Sequence, residues 1–407
     1  MSQTGRITAC AILLQLVILL TPFAPLPVEA AARTLSPLTY RQLTGIREQM
    51  DRQAWDAALS ALQQLIAELD PDSYEAAVTL QMLGHVQVNR EAYPEAIRAF
   101  AASLALEQLP EETTQRLRYD LAQLYLAEQQ PAQASRLLET WFKTAPEPHA
   151  EAWLLLGHAY AAQKLYRKAI PPLQRAIKLA DSPRAQWYEA LLAMHYELQD
   201  YRASIPLLED MIRLFPERDR YWQQLAAVQL ALKDDRAAVN MLELAYRDGA
   251  LKREQDLLQL ARLYLYTGIP YKSARLLEEQ IAQGHITDSA ENRALLAQAW
   301  STSKHREQAI LALQKALDKK PDPELGMRLA QWYFDAQRWQ AAEQTLQTLI
   351  GTQTTGKLAA QAWLLLGIVR YEQGRTDAAR TAFSSAGKLA DASAAAQQWL
   401  RFLDAGN

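Results

Sequence analysis

The chain has 407 residues, with Lys+Arg 43 against Asp+Glu 46, a formal charge of −3, and 49% apolar residues. Its 14 glycines are about half the usual frequency, and it has 1 cysteine, which excludes collagen-like, disulfide-stapled and disordered classes and argues against a turn-rich all-β protein. The balanced charge offers no basic face of the kind that nucleic acid requires.

At the N-terminus, Arg6 and the amino group precede Ile7–Leu20, a nearly unbroken apolar run. Thr21 and Pro22 break it, and Val28-Glu29-Ala30 presents small residues at the positions a signal peptidase reads. Residues 1–30 are therefore expected to be a Sec-type signal peptide cut after Ala30, followed by a linker over 31–37. The expected destination is the periplasm of a Gram-negative cell. The alternative is an uncleaved inner-membrane anchor facing the periplasm. A spanning helix wants about 20 apolar residues, and this run reaches that length only through Pro22 and Pro25. Cys10 lies inside the run, so cleavage would leave a chain with no thiol chemistry and no cysteine metal site.

From residue 38 onward the sequence repeats with a period near 35. Anchors fall at Ile46, Gly84, Ala122, Gly157, Leu192, Ala226, Ala261, Ala297, Ala330 and Gly367, and leucine precedes nine of the ten. Twelve residues after each anchor stands a small residue: Ala58, Ala96, Ala134, Ala169, Ser204, Ala238, Ser273, Ala309, Ala342 and Ala379. An aromatic three after the anchor is common (Tyr125, Tyr160, Tyr264, Trp300, Tyr333). The leucine and this aromatic are four apart, on one stripe of a helix. The two small residues mark where that helix crosses an antiparallel partner closely enough to exclude larger side chains.

The punctuation agrees. Gly268-Ile269-Pro270, Pro94 and Pro131 mark starts of second helices, and Pro71, Pro146, Pro216 and Pro321 fall between pairs. Two wider spacings predict longer helices or loops near Asp70–Ser73 and Leu109–Thr114. Pro171, Pro172 and Pro206 fall inside second helices and predict kinks rather than breaks. Gly351–Lys357 reads as a loop and candidate hinge. Ala394–Asp404 reads as a capping helix, with Trp399 and Phe402 packing inward.

The stretch from Trp153 to Tyr160 (WLLLGHAY), followed by Ala169, resembles the tetratricopeptide repeat, whose signature is W-x₂-L-G-x₂-Y and then A. Trp363–Gly367 with Ala379 resembles it too, as does Trp222 leading Leu225 and Ala226. The resemblance implies an all-α, right-handed superhelical solenoid of about ten helix pairs over 38–392, with a C-terminal capping helix and tail over 393–407. Its first helices would line a long groove for segments of other proteins.

No catalytic, metal or cofactor site is expected. Gly351-x₄-Gly356-Lys357 is followed by Leu358, where a phosphate loop needs Ser or Thr, and no strand feeds it. The six histidines lack metal-binding spacing, and no GxSxG elbow occurs. Carboxylate pairs such as Glu278-Glu279 occupy helix edges. Trp153, Trp222, Trp300, Trp332, Trp363 and Tyr160 are expected in the core.

Positions −3, +1 and +4 from the anchors are expected to face the groove. They include Tyr119, Gln123, Leu126, Leu154, His158, Tyr196, Gln223, Leu258, Arg262 and Leu265, then Gln298, Met327, Gln331, Phe334, Leu364 and Tyr371. This aromatic, amide and aliphatic lining suits a proline-rich or helical polypeptide segment. The alternative is that these side chains cover neighbouring repeats.

Residues 195–226, 245–281 and 361–374 are similar to a family of exported tetratricopeptide proteins found alongside TonB–ExbB–ExbD systems. That resemblance implies a non-catalytic periplasmic scaffold whose partners are TonB/ExbB/ExbD-type components or outer-membrane receptors. The proline-rich periplasmic segment of TonB-type proteins would suit the groove. Membrane contact would come only through partners or a retained anchor. A scaffold for envelope polysaccharide export or cell-wall assembly is the alternative.

Overall fold

A computed structural model describes residues 34–145, 148–352 and 355–405. The expected signal peptide, residues 31–33 of the linker, Pro146 and the last two residues of the tail lie outside the described residues. The described residues form twenty-one α-helices and one 3-10 turn, with no strand. The first five pairs are α1 (Pro37–Asp51) with α2 (Trp55–Glu68), α3 (Tyr74–Asn89) with α4 (Tyr93–Ala105), α5 (Glu111–Ala127) with α6 (Pro131–Thr144), α7 (Ala150–Ala162) with α8 (Tyr166–Leu179), and α9 (Ala185–Glu197) with α10 (Tyr201–Leu214). The next five are α11 (Arg220–Ala231) with α12 (Asp235–Arg247), α13 (Glu254–Tyr266) with α14 (Pro270–Ala282), α15 (Ala290–Thr302) with α16 (Arg306–Lys319), α17 (Pro323–Asp335) with α18 (Trp339–Gly351), and α19 (Gly356–Glu372) with α20 (Thr376–Gly387). The 3-10 turn Ala390–Ala392 leads into α21 (Ser393–Ala405). Contacts group the helices into two compact units that meet in sequence between Phe215 and Pro216.

Local chemistry sets many helix ends. The hydroxyl of Ser36 accepts from the Thr39 N–H, that of Ser73 from Ala76, and that of Ser289 from Asn292. Asp200, Asp234 and Asp322 cap in the same way with carboxylate oxygens. Pro37, Pro131, Pro270 and Pro323 open their helices, where no amide hydrogen is needed. Ser36 and Pro37 start α1 one residue before the expected boundary. The wider spacings correspond to longer first helices: α3 has 16 residues and α5 has 17, against 13 for α7. Helices α8 and α10 continue through Pro171, Pro172 and Pro206 without a break.

Each first helix ends in the same way. The residue seven beyond the anchor is left-handed in all ten pairs, from Gln53 (φ 60), Lys164 (φ 59) and Lys304 (φ 65) to Gly268 (φ 78) and Gly374 (φ 75). The next residue then donates its N–H back to the carbonyl five positions earlier, as Leu165 does to Tyr160 at 2.9 Å and Arg375 to Arg370 at 2.9 Å. These are Schellman closures, and they turn the chain directly into the second helix. Only two of the ten left-handed residues are glycine, so glycine does not mark these turns in the sequence.

All ten small residues at +12 are 0% exposed. The side chain that fills each crossing stands sixteen beyond the anchor: Leu62, Phe100, Leu138, Leu173, Leu208, Leu242, Leu277, Leu313, Leu346 and Phe383, none more than 1% exposed. Phenylalanine fills the crossing only where the anchor is glycine, although the glycine anchor Gly157 faces Leu173. Both phenylalanines face glycine anchors, and a Cβ on Gly84 or Gly367 would come within 2.2 Å or 2.4 Å of the ring of Phe100 or Phe383. Within each unit the resulting apolar core passes from one pair to the next.

Three expectations are corrected. Phe402 is 55% exposed; it is Ala396 and Leu403 on α21 that are buried, while Trp399 stacks on Phe383 with ring centroids 5.2 Å apart. The tryptophan core is partial: Trp300 is buried, whereas Trp153, Trp222, Trp332 and Trp363 are half-buried. The Gly351–Lys357 loop is shorter than its composition suggested. Gly351 ends α18 and Gly356 already opens α19, with Gln353 and Thr354 outside the described residues.

Candidate functional site

The residues expected to face a groove lie on the first helices, held at fixed register by the crossings just described. In the first unit they are largely covered. Gln123 is buried, and Tyr119, Leu154, His158 and Tyr196 are half-buried. Tyr119 meets Trp141 and His149 with centroids at 5.6 Å and 5.2 Å. Leu154 packs on the cluster of Ala169, Leu173 and Met194. Burial pushes the His158 pKa down to about 4 and that of Tyr196 up to about 12, the latter with Tyr201 adding to the shift. Both side chains are therefore neutral at pH 7.

In the second unit the +1 position opens. Arg262, Gln298 and Gln331 are exposed at the same register on α13, α15 and α17. Gln331 donates to the Asp335 carboxylate one turn later at 3.1 Å. Leu258, Met327 and Phe334 are half-buried against the core of this unit, and Phe334 meets Trp339 edge-on at 5.2 Å. Two expected groove residues are taken up internally. Gln223 donates to Asp256 at 2.9 Å and also bonds Arg253, while Tyr371 packs on Trp399 and Phe402 at 5.6 Å and 5.8 Å.

Several polar groups escaped the sequence reading. Tyr266, five beyond its anchor, is 75% exposed beside Leu265. Asp120, two before its anchor, is 8% exposed, and burial raises its pKa from 3.8 to about 6 against the opposing charge of Arg116. Burial, with the same guanidinium adding to it, lowers the pKa of His85 on α3 to about 4. The register of Asp120 holds apolar Met82 and Leu155 in the adjoining repeats, but Thr44, Gln224, Gln259 and Arg328 stand there in others, so the sequence pattern did not single Asp120 out. Among the described residues, no cluster of three His, Cys, Asp or Glu could hold a metal ion, and no helix is long and apolar enough to cross a membrane.

Residues 119–185 and 327–394 match the family model of the tetratricopeptide repeat. These two segments, about a third of the chain, are similar to the tetratricopeptide repeat. Similar solved structures include a tetratricopeptide repeat protein from Parabacteroides merdae ATCC 43184, 14% identical, covering 74% of this chain and 100% of that one, with a TM-score of 0.38. MamA from Desulfovibrio magneticus RS-1, from its residue 41 to its end, is 21% identical over 46% of this chain and 99% of that one, with a TM-score of 0.38. YrrB, described as a tetratricopeptide protein with an unusual peptide-binding site, is 14% identical over 45% of this chain and 89% of that one, with a TM-score of 0.36. No curated protein is significantly similar in sequence. The matched tetratricopeptide segments contain Leu154 and His158 in the first unit and Gln331, Phe334 and Tyr371 in the second.

Proposed function

We propose that this protein is a non-catalytic scaffold that binds a polypeptide segment along its first helices. The observation that carries this reading is the repeated exposure of Arg262, Gln298 and Gln331 at one register on α13, α15 and α17, beside half-buried Leu258, Met327 and Phe334. Such a face gives an extended or helical segment apolar purchase and a row of hydrogen-bonding side chains. Repeat arrays use such faces for protein binding, because each pair supplies one short stretch of wall and stacking extends it.

The working place in this proposal is the periplasm, supported by the apolar run 7–20 and the small residues before Ala30. The proposed partners are TonB–ExbB–ExbD-type components or the outer-membrane receptors they energise. Support for that comes from the resemblance carried by residues 195–226, 245–281 and 361–374. Affinity capture from crosslinked cells, with N-terminal sequencing of the recovered chain, tests both parts. The expected result is a chain beginning at Ala31 that brings down TonB-system subunits, and a deletion strain with impaired uptake of large metal chelates. Recovery of polysaccharide synthases or transglycosylases instead, with normal uptake, overturns the TonB assignment in favour of an envelope-assembly scaffold. A chain still beginning at Met1 overturns cleavage.

A further inference from the structure

Three carboxylates are buried among the described residues: Asp120 at 8% exposed, Asp256 at 4% and Glu343 at 8%. Two of them are met from within the protein. Asp256 accepts from Arg253 Nε at 2.8 Å and Gln223 Nε2 at 2.9 Å. Glu343 accepts from Arg370 Nε at 2.9 Å and Arg375 Nη1 at 2.7 Å.

Asp120 accepts no hydrogen bond among the described residues. Arg116, one turn earlier, acts on it through charge alone and turns Nη2 toward Glu112 at 3.5 Å. Nor are the Asp120 oxygens sealed in. The fully occluded, unpartnered side-chain atoms are Gln49 Oε1, Gln115 Oε1, His195 Nδ1 and Gln224 Oε1, and those of Asp120 are not among them. A carboxylate withdrawn from water, with no hydrogen-bond donor among the described residues and oxygens that are not wholly occluded, is poised for a donor from outside. The donor that compensates it best carries full charge, since a neutral one leaves a desolvated anion uncancelled. The register of Asp120 is that of buried Met82 and Leu155 in the adjoining repeats, an apolar setting that strengthens such a pair.

We propose that the wall of the first unit around Asp120 receives one cationic side chain, lysine or arginine, from the polypeptide that the repeats bind. This rests on the scaffold reading and adds a specificity to it.

Random peptides displayed on phage and selected on the full-length protein test the idea, with Asp120→Asn selected in parallel. Peptides recovered on the wild type are expected to share a Lys or Arg at one position. Replacing that residue by norleucine or citrulline should weaken binding roughly ten- to a hundredfold, the range for a hydrogen bond to a charged group. Against Asp120→Asn the same replacement should change affinity little, while the rest of the motif is still selected. The variant loses an uncompensated charge and is expected to be at least as stable as the wild type, so a lost preference is not unfolding. Peptides selected without a cationic position, or a cation preference that Asp120→Asn leaves intact, would overturn the inference and leave the scaffold reading standing. Failure to select any peptide would overturn both.

Discussion

The crossing of Gly84 and Phe100 makes a test at the level of single atoms. A methyl on Gly84 would lie 2.2 Å from two ring carbons of Phe100, and the ring is 0% exposed with nowhere to retreat. Gly84→Ala is expected to destabilise by about 1–3 kcal/mol, the usual cost of overpacking. Phe100→Leu in the same chain should restore most of the loss, because leucine fills the equivalent crossing at Ala122–Leu138. Urea midpoints of the two variants, measured alone and together, check the coupling; additive losses would refute the matched pair. Asp120 gives a titration with a definite sign. Its folded pKa of about 6 lies above 3.8, so between those values the folded state holds more protons than the unfolded one. Its contribution to stability is then greatest below pH 3.8 and falls as pH rises through 6. Asp120→Asn should raise stability at pH 7.5 by roughly 2–3 kcal/mol, from two pKa units at about 1.4 kcal/mol each, and have little effect at pH 3.5. Thermal melts at the two pH values decide it.

The helix pair is closed by a backbone device rather than by a particular residue. Eight of the ten left-handed closing positions hold Gln, Glu or Lys, each bearing a Cβ that this conformation disfavours. Lys164→Gly should therefore stabilise by about 1 kcal/mol, and Gly374→Ala should cost a similar amount. Both substitutions lie on the surface in exposed turns, so the change in urea midpoint reads the backbone preference with little interference from packing. The same chemistry explains why proline signals located second helices well and glycine did not. Proline fits the first turn for a reason intrinsic to one residue, whereas the left-handed closure is imposed by two backbone hydrogen bonds that most residues tolerate.

At the scale of a whole unit, ion pairs tie one helix pair to the next. Glu343 on α18 joins Arg370 on α19 and Arg375 in the turn before α20. Burial alone would raise its pKa, but the hydrogen bonds and charges of the two arginines outweigh that and lower it. The sign is thus opposite to that of Asp120: the contribution is present above the ordinary glutamate range and is lost as pH falls below it. Glu343→Gln leaves two guanidiniums without their buried anion and is expected to cost about 3 kcal/mol or more. Because neighbours stabilise one another in a repeat array, the loss should concentrate in α19, α20 and α21. Amide hydrogen exchange faster over residues 356–404 than over 220–320 is the expected pattern; uniform acceleration would contradict it.

The sequence by itself determined the number of helix pairs, their register and the small residues at each crossing. Those depend on spacings of three, four and twelve residues, where geometry is fixed by the helix and its turn. What only the tertiary structure decided was which of the expected groove residues are spent and which are open. Gln123 and Tyr371 looked like Gln298 and Phe334 in the repeat pattern, yet one is buried and the other lies under α21. The pairings that settle this, such as Gln223 with Asp256 or Glu343 with Arg370, join residues 33 and 27 apart across a repeat boundary. No local pattern encodes them, because each depends on which side chain the next repeat happens to bring alongside.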